Sequence, residues 1–342
     1  MRKTDLTRRF LLLLLLPLAA VVPLYLDAFR VEQITQIVAI AIAVTGLNLL
    51  TGFTGQVSVG HSAFFGVGAY VTAVLMSQTN LTYPLAILAA CLGGLIVGFM
   101  VGLPAVRIKG LHLAIVTVVL AAAFPGIVRM LEPWTGGSQG IRVDRLDYVA
   151  WLPLQSDQWR FYVTTTVLAA VVLAIAVLQR RPTGRALRSL GDNEVAAVAY
   201  GVRATRMRVG VFAASACVTA LGGSLFVMSS GFIAPGTSYV TVLGSIQFLT
   251  AMVIGGRSLV FGPLIGAAVA ELLPLQLGQE SPELAHLLYG AILIVLLLVA
   301  PNGLTGTRLR SLLPQRLRRP SPARLPKGLS TASSLTKQGD LS

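Results

Sequence analysis

A glycine-rich polar stretch interrupts the apolar sequence between residues 46 and 70. Glycine costs about 1 kcal/mol relative to alanine in a helix interior, so this composition disfavours an ordinary lipid-facing helix. Irregular backbone at membrane depth is tolerated only where it is buried in protein or lines a wet cavity. We therefore predict a broken or re-entrant helix whose polar groups line a solute pathway or support a gate. The candidate residues are Asn48, Gly52, Gly55, Gln56, Ser58, Gly60 and His61.

Simpler roles compete at several of these positions. Gln56, Ser58 and His61 are also suited to capping helix ends, and this alternative stays open. For Gly66 and Gly68, close packing of helices through small residues is the favoured interpretation.

A second candidate site is the basic 180–208 loop, which has helical periodicity. Ala186, Leu190, Asn193, Ala197 and Tyr200 recur on one predicted face, and Arg185, Arg188, Ser189 and Asp192 fall on the opposite face. We predict one or two short amphipathic helices, with Gly191 and Asp192 ending the first and capping the second. A connection between two spans needs only a few residues, so this length indicates a docking surface for a partner. A helix lying on anionic lipid is the alternative.

The sequence predicts no catalytic site, cofactor or metal centre. It lacks a Gly-x-x-x-x-Gly-Lys-Ser/Thr phosphate loop, so the chain cannot bind and hydrolyse ATP by the usual route. His112 and His286 lie near opposite ends of two predicted spans, so neither pairs with His61 as a metal ligand. Glu271 falls inside a predicted span, where a charge is costly and indicates function, although near the outer end of the span it could simply meet water.

The elements that position these residues are predicted to be membrane helices. Hydrophobic residues make up 55% of the 342 residues and charged residues only 12%, against about 25% charged in soluble domains. The apolar runs are continuous and long enough to cross a hydrocarbon core of about 30 Å, which favours helices over a barrel. The prediction is an all-α polytopic protein with ten spans, at 10–26, 34–50, 61–77, 85–104, 111–130, 161–179, 209–229, 240–256, 260–275 and 284–300.

The N-terminal basic and leucine-rich sequence is similar to a signal peptide, but we interpret it as an uncleaved first span because the following chain is itself apolar. Cys91 and Cys217 both fall in apolar runs, and we expect free buried cysteines without a disulfide framework.

Charge distribution predicts the orientation of these spans. The net charge is +14, and 22 of the 27 Lys and Arg residues fall in segments that an inside N-terminus would place in the cytoplasm. This is the positive-inside pattern rather than a nucleic-acid-binding surface, and it predicts cytoplasmic N- and C-termini.

The organisation predicted from the spans is one permease domain and a tail. Residues 1–312 form the domain, with a tryptophan-containing outside segment at 131–160, and residues 313–342 form a disordered basic cytoplasmic tail. Spans 1–5 and 6–10 each have an odd number of helices, which predicts a 5+5 inverted repeat. Coincidence of the Gly-Phe pairs at 52–53 and 231–232 is the alternative.

Over about residues 30–306, the chain resembles the LivM-type permeases of high-affinity branched-chain amino acid ABC importers. The matching segments occur in order at 46–70, 136–140, 185–202, 251–267 and 301–304. The resemblance implies that residues 192–201 dock on an ATPase through an Ala-Ala-x-x-x-Gly core. Departures are Glu194, one position earlier than usual, and Gly191 and Val198, which replace a common arginine and a common acidic residue. The implied ATPase-coupling residues are Arg185, Arg188, Asp192, Asn193, Glu194, Ala196, Ala197 and Gly201.

The resemblance also implies partners, location and function. The partners are cytoplasmic ABC ATPase subunits, a LivH-type sister permease or a second copy, and a periplasmic or lipoprotein solute-binding protein. We also expect membrane lipid around the chain and no nucleic-acid partner. We expect a non-enzymatic permease subunit of a bacterial-type inner membrane that imports branched-chain amino acids, or similar small polar solutes such as urea or amides. An ion-coupled transporter acting alone is the alternative, but it needs deep acidic coupling sites, which are sparse here.

Overall fold

A computed structural model describes residues 23–79, 81–106, 108, 111–145, 155–256 and 262–277. Several predictions lie outside these residues. They concern most of the span at 10–26, residues 146–154 of the outside segment, the span at 284–300, the tail from residue 313, His286 and the segment 301–304.

The described chain is predominantly helical. Its elements in chain order are α1 Ala28–Leu47, which continues as a π-helical turn Asn48–Gly52, α2 His61–Gln78, α3 Tyr83–Ala105, α4 Leu111–Met130, α5 Glu132–Thr135, β1 Ile141–Arg142, α6 Ser156–Arg180, α7 Pro182–Asp192, α8 Glu194–Ala199, α9 Ala204–Ser230, β2 Phe232–Ile233, α10 Val242–Gly255 and α11 Gly262–Leu277.

Five of the described helices are long and apolar enough to cross a membrane: α1 with its π turn, α3, α4, α6 and α9. They coincide in the chain with the predicted spans at 34–50, 85–104, 111–130, 161–179 and 209–229. The predicted spans at 61–77, 240–256 and 260–275 are helices too, but α2 is less apolar and α10 and the Gly262–Leu272 part of α11 are shorter.

Helices α1 and α9 form the centre of the described bundle. In their most apolar 18-residue windows, 89% and 78% of residues are buried, against 28% in α3. Small residues let the backbones of these helices approach closely. A Cβ on Gly68 would lie against the carbonyl oxygen of Ala220, and one on Gly222 would lie 2.7 Å from the carbonyl oxygen of Ala39. Glycines at these positions therefore set the spacing of α9 from α1 and α2, as expected for Gly68.

A small sheet departs from the all-α prediction. Strand β1 pairs antiparallel with β2, with Ile141 opposite Ile233. Gly140 precedes β1 with φ +75°, and a Cβ there would contact the backbone of residues 233–234, so the turn requires glycine. Helix α9 follows α8 in the chain and precedes β2. At a rise of about 1.5 Å per residue, the 27 residues of α9 hold the sheet at the far end of this helix from α7 and α8. The sheet and the 180–208 loop therefore lie at opposite ends of the bundle.

The cysteine prediction was wrong. Cys91 of α3 and Cys217 of α9 form a disulfide, with their Cα atoms 4.8 Å apart. They are separated by 126 residues, so their spacing gives no sign of pairing. They meet because α3 packs against α9 through Gly94 and Gly98, whose Cβ atoms would each lie 2.4 Å from an alanine Cβ of α9.

Candidate functional site

The helix that begins with α1 ends at Thr54, and the next helix begins at His61. We name residues 53–61, which hold the end of the first helix, the gap and the start of the second, the polar break. The π turn Asn48–Gly52 opens the helix, and the backbone is not helical from Gly55 to Gly60. Thr51 Oγ1 donates to the carbonyl oxygen of Gln56 at 2.9 Å and closes the chain back on itself. Gly55, with φ +71°, makes the turn between them.

A buried hydrogen-bond network joins the polar break to α9. His61 is fully buried, and its Nε2 lies 2.7 Å from Ser215 Oγ. Its Nδ1 lies 3.0 Å from Ser58 Oγ. Ser215 Oγ also donates to the carbonyl oxygen of Gly46 at 2.6 Å. One histidine therefore connects the polar break, α9 and the end of α1.

The network determines which ring nitrogen of His61 carries the proton. A serine hydroxyl has one proton, and that of Ser215 is donated to Gly46. His61 Nε2 must therefore be the donor to Ser215. In the neutral ring Nδ1 is then an acceptor and receives the hydroxyl proton of Ser58. The imidazole is fully paired and is held in one orientation.

Two further helices anchor the polar break and the start of α2. The backbone N–H of Val59 donates to Thr117 Oγ1 of α4 at 3.0 Å. The N–H of Ser62 donates to Ser245 Oγ of α10 at 3.0 Å, and Ser245 Oγ donates to Ser62 Oγ at 2.7 Å. Helices α4, α9 and α10 thus all bond to this short segment.

The predicted pathway residues divide by exposure. Asn48, Ser58, Gly60 and His61 are buried, Gly52 and Gln56 are half-buried, and Gly55 is exposed. Val57, which the sequence analysis did not single out, is 38% exposed. The accessible part of the polar break is therefore residues 55–57, and the histidine network supports it from within the protein.

The 180–208 loop contains two helices, and the junction between them differs from the prediction. Asn193, not Asp192, caps α8, because its side-chain oxygen accepts from the backbone N–H of Ala196 at 3.0 Å. Asn193 has extended backbone, φ −157° and ψ 106°, so α7 ends before it. Asp192 is the last residue of α7 and is exposed.

This junction also overturns part of the predicted helical face. Leu190 and Ala197 of the predicted face are buried, and Arg185 and Arg188 of the opposite face are exposed. Asn193 and Tyr200, however, are exposed as well. The prediction assumed one continuous helical repeat across residues 185–200. The extended backbone of Asn193 interrupts that repeat, so α7 and α8 have separate buried faces.

Helix α8 exposes an apolar surface that the sequence analysis missed. Val195, Val198 and Tyr200 are 81%, 50% and 90% exposed, and we call these three residues the α8 patch. Glu194 is held by an ion pair with Arg208 of α9, at 2.9 Å. The sequence did contain a sign of this surface: Val195 and Val198 are three residues apart, a spacing that places two side chains on the same face of a helix.

The remaining implied loop residues complete α8. Ala196 donates to the cap and is exposed, whereas Ala197 is buried beneath the helix. Gly201 has φ +84°, and after it the N–H of Val202 returns to the carbonyl oxygen of Ala197 at 3.1 Å. Gly201 therefore provides the left-handed residue that ends α8.

Glu271 is the described carboxylate within a predicted span, and it lies beside aromatic rings. The hydroxyl of Tyr239 donates to Glu271 Oε2. The Tyr239 ring in turn packs near Phe65, Phe226 and Phe248, with centroids 5.4–6.3 Å apart. The carboxylate therefore has a protein partner rather than water alone. Within the part of the chain that the structure describes, no group of three or more His, Cys, Asp or Glu residues could hold a metal ion.

Comparisons with known proteins agree on one family. A family model described as the branched-chain amino acid transport system permease component matches residues 30–297. The permease LivM of Salmonella typhimurium is 27% identical, over 87% of this chain and 75% of its own. The permease LivH of the same organism is 26% identical, over 78% and 91%. The fructose import permease FrcC of Rhizobium meliloti is 31% identical over 39% of each chain. No solved structure matches.

Proposed function

The chain belongs to the family of branched-chain amino acid transport system permease components, and from this premise we propose the solute, the partners and the mechanism of transport. It is a membrane permease subunit of an ABC importer. The proposed solutes are branched-chain amino acids or similarly small polar molecules such as urea or amides. The proposed energy source is ATP hydrolysis by separate subunits in the cytoplasm.

The α8 patch is the observation that carries the proposal. An isolated helix of six residues is unstable in water, so α8 depends on tertiary contacts. The Glu194–Arg208 ion pair and the buried Ala197 provide them, and the Asn193 cap adds a local hydrogen bond at the first turn. A fixed helix that exposes valine and tyrosine side chains beside polar residues is typical of a protein-docking surface. Its proposed occupant is the ATPase.

The charges near the 180–208 loop support a cytoplasmic position for it. Seven arginines lie between residues 180 and 208, and the loop is at the opposite end of the bundle from the sheet. Arginines gather on the cytoplasmic side. The proposed orientation therefore has cytoplasmic termini and places the sheet end outside, where a periplasmic or lipoprotein solute-binding protein would dock.

Contacts between helices support the proposed 5+5 inverted repeat. In that repeat, α1, α2 and α3 correspond to α9, α10 and α11. The start of α2 bonds to the start of α10 through Ser62 and Ser245, so the two proposed equivalent helices meet near their first turns. The pair α3 and α9 packs closely, and so does the corresponding pair α11 and α1. A LivH-type sister permease or a second copy is proposed to complete the translocation unit, while residues 1–312 form the permease domain and 313–342 a basic tail.

The polar break is the proposed gate of the pathway. Residues 55–57 are its accessible part, and the bonded Ser58, His61 and Ser215 hold it in place. Small and weakly polar residues suit a pathway that need not bind solute tightly, because a separate binding protein supplies the affinity.

The test is reconstitution of the assembled transporter. The tagged chain is co-expressed with its genomic neighbours, purified in detergent and placed in liposomes with internal ATP, and radiolabelled leucine uptake is measured. We expect an ATPase to co-purify and uptake to require ATP. Replacing both Val195 and Tyr200 by serine should abolish co-purification. The control Phe232→Ser, at an exposed apolar position of the sheet at the opposite end of the bundle, should preserve it.

Each other outcome has a defined meaning. ATPase co-purification without leucine uptake would retain the mechanism and redirect the solute search to urea and amides. Co-purification that survives the double serine variant would show that the α8 patch is not the ATPase-docking surface. A chain that purifies alone and moves solute down an ion gradient would overturn the proposal.

A further inference from the structure

The first two residues of the polar break, Phe53 and Thr54, contact the last turn of α7 at Gly191. A Cβ on Gly191 would lie 2.7 Å from the carbonyl oxygen of Phe53 and 3.2 Å from the carbonyl carbon of Thr54. Both neighbours are backbone atoms, which cannot rotate away as a side chain can. Gly191 has ordinary helical geometry within α7, so the absence of a side chain matters here for the close approach.

A side chain one turn earlier reinforces this contact. The guanidinium carbon of Arg188 lies 5.7 Å from the centre of the Phe53 ring, within the range of a cation–π interaction. Arg188 also donates to Gln179 Oε1 at 2.8 Å, in the last turn of α6. Phe53 is only 8% exposed. The arginine therefore connects the end of α6, α7 and the buried ring at the start of the polar break.

The other end of the polar break is attached to the helix that follows the 180–208 loop. His61 bonds to Ser215 of α9, and Glu194 of α8 is paired with Arg208 at the start of the same helix. Displacement of the α7–α8 pair therefore acts on the polar break from two sides: at Phe53–Thr54 through α7 and at His61 through α9. Densely packed contacts of this kind transmit displacement because they cannot be compressed.

From this geometry we infer that Gly191 and Arg188 are positioning residues that transmit movement of the 180–208 loop to the polar break. The inference rests on the proposed function, because it takes the ATPase as the source of the movement. The accessible residues 55–57 follow immediately after the contact, so displacement there changes exposure of the proposed pathway. Gly191 sets the backbone spacing, and Arg188 keeps Phe53 against α7.

The experiment measures movement of the polar break separately from transport. Cys91 and Cys217, the chain's two cysteines, are replaced by alanine, and Val57→Cys introduces one accessible thiol. The co-purified transporter is reacted with a maleimide, without nucleotide and with ATP and vanadate. We expect the labelling rate at position 57 to differ between the two states in this parent protein.

Three variants in that background test the transmission. Gly191→Ala adds the colliding Cβ, and Arg188→Gln removes the cation above Phe53. The matched control is Gly210→Ala, because Gly210 lies in α9 with nothing within 4 Å of a Cβ. Both variants replace a helical glycine by alanine, a change that by itself favours the helix. We expect Gly191→Ala and Arg188→Gln to abolish the nucleotide-dependent change and slow uptake by about tenfold, with the ATPase still bound, and Gly210→Ala to behave as the parent.

The failures of the two proposals are distinguishable. A parent protein that binds no ATPase and responds to no nucleotide would overturn the proposed function. A nucleotide-dependent change that persists in both Gly191→Ala and Arg188→Gln would overturn only the inference. Loss of ATPase binding in these variants would also overturn it, because the residues would then act in docking.

Discussion

Replacing Ser215 by alanine should destabilise the folded chain by disconnecting the polar break from α9. Ser215 is completely buried. Its hydroxyl accepts from His61 Nε2 at 2.7 Å and donates to the carbonyl oxygen of Gly46 at 2.6 Å. Alanine fits the same space but supplies neither function, so a buried imidazole N–H is left without its acceptor.

The magnitude follows from the number of bonds and their surroundings. A buried donor left unsatisfied costs about 1–3 kcal/mol. Hydrogen bonds between membrane helices are weaker on average, about 0.6 kcal/mol, because the unfolded state in the membrane also finds partners. For two bonds we expect a loss of about 1–2 kcal/mol. At roughly 2–4 °C per kcal/mol for chains somewhat smaller than this one, the midpoint of thermal unfolding should fall by a few degrees.

A double-mutant cycle isolates the interaction. Thermal unfolding of the purified chain is compared for Ser215→Ala, His61→Phe and the double variant. Phenylalanine removes the N–H donor, so the second substitution should cost less in the presence of the first, with a coupling energy of about 1 kcal/mol. The assigned network would be refuted if the free-energy losses of the two single variants simply add in the double variant. It would also be refuted if Ser215→Ala unfolds at the same temperature as the wild type. Thr205→Ala, at an exposed site, controls for handling.

Two further predictions concern packing and capping. Gly94→Ala should lower the midpoint of thermal unfolding, because the added Cβ would lie 2.4 Å from the Cβ of Ala220. The adjacent Gly93→Ala is the control: its Cβ would lie 3.4 Å from the nearest atom, so the midpoint should stay unchanged or rise. Equal midpoints for the two variants would contradict the packing of α3 on α9. Asn193→Ala should destabilise α8 by about 0.5–2 kcal/mol and reduce the amount of ATPase that co-purifies. Asn193→Asp, which also caps helices well, should retain ATPase co-purification. Equal co-purification with both variants would show that the cap does not matter for docking.

The helices and the break between them follow from local sequence. Apolar runs at 85–104 and 209–229 predict helices because lipid forces the backbone to bond internally. The polar break was predictable for the same reason, since glycine and polar side chains are unfavourable in a lipid-facing helix. The order of five matching segments was sufficient to recognise the family. Each of these signals depends on residues close together in the chain.

Local sequence misled where one residue changed the backbone. The extended conformation of Asn193 divides α7 from α8, so a face drawn through both helices placed Tyr200 on the wrong side. The α8 patch became visible only once the helices were separated. Periodicity assumes continuous geometry, and a single capping residue is enough to interrupt it.

Which helices form the centre and which residues meet across it were decided by tertiary structure alone. Helices α1 and α3 have mean hydropathies of 1.9 and 2.4, yet 89% of the α1 window is buried and only 28% of that of α3. Lipid is as apolar as a protein interior, so hydropathy identifies a membrane helix without telling which neighbours it has. The contacts of Ser215 with His61, of Gly191 with Phe53 and of Cys91 with Cys217 join residues more than 100 positions apart. They arise from the packing of separate helices against one another, around α9 for two of these contacts and between α7 and the polar break for the third, which no local pattern specifies.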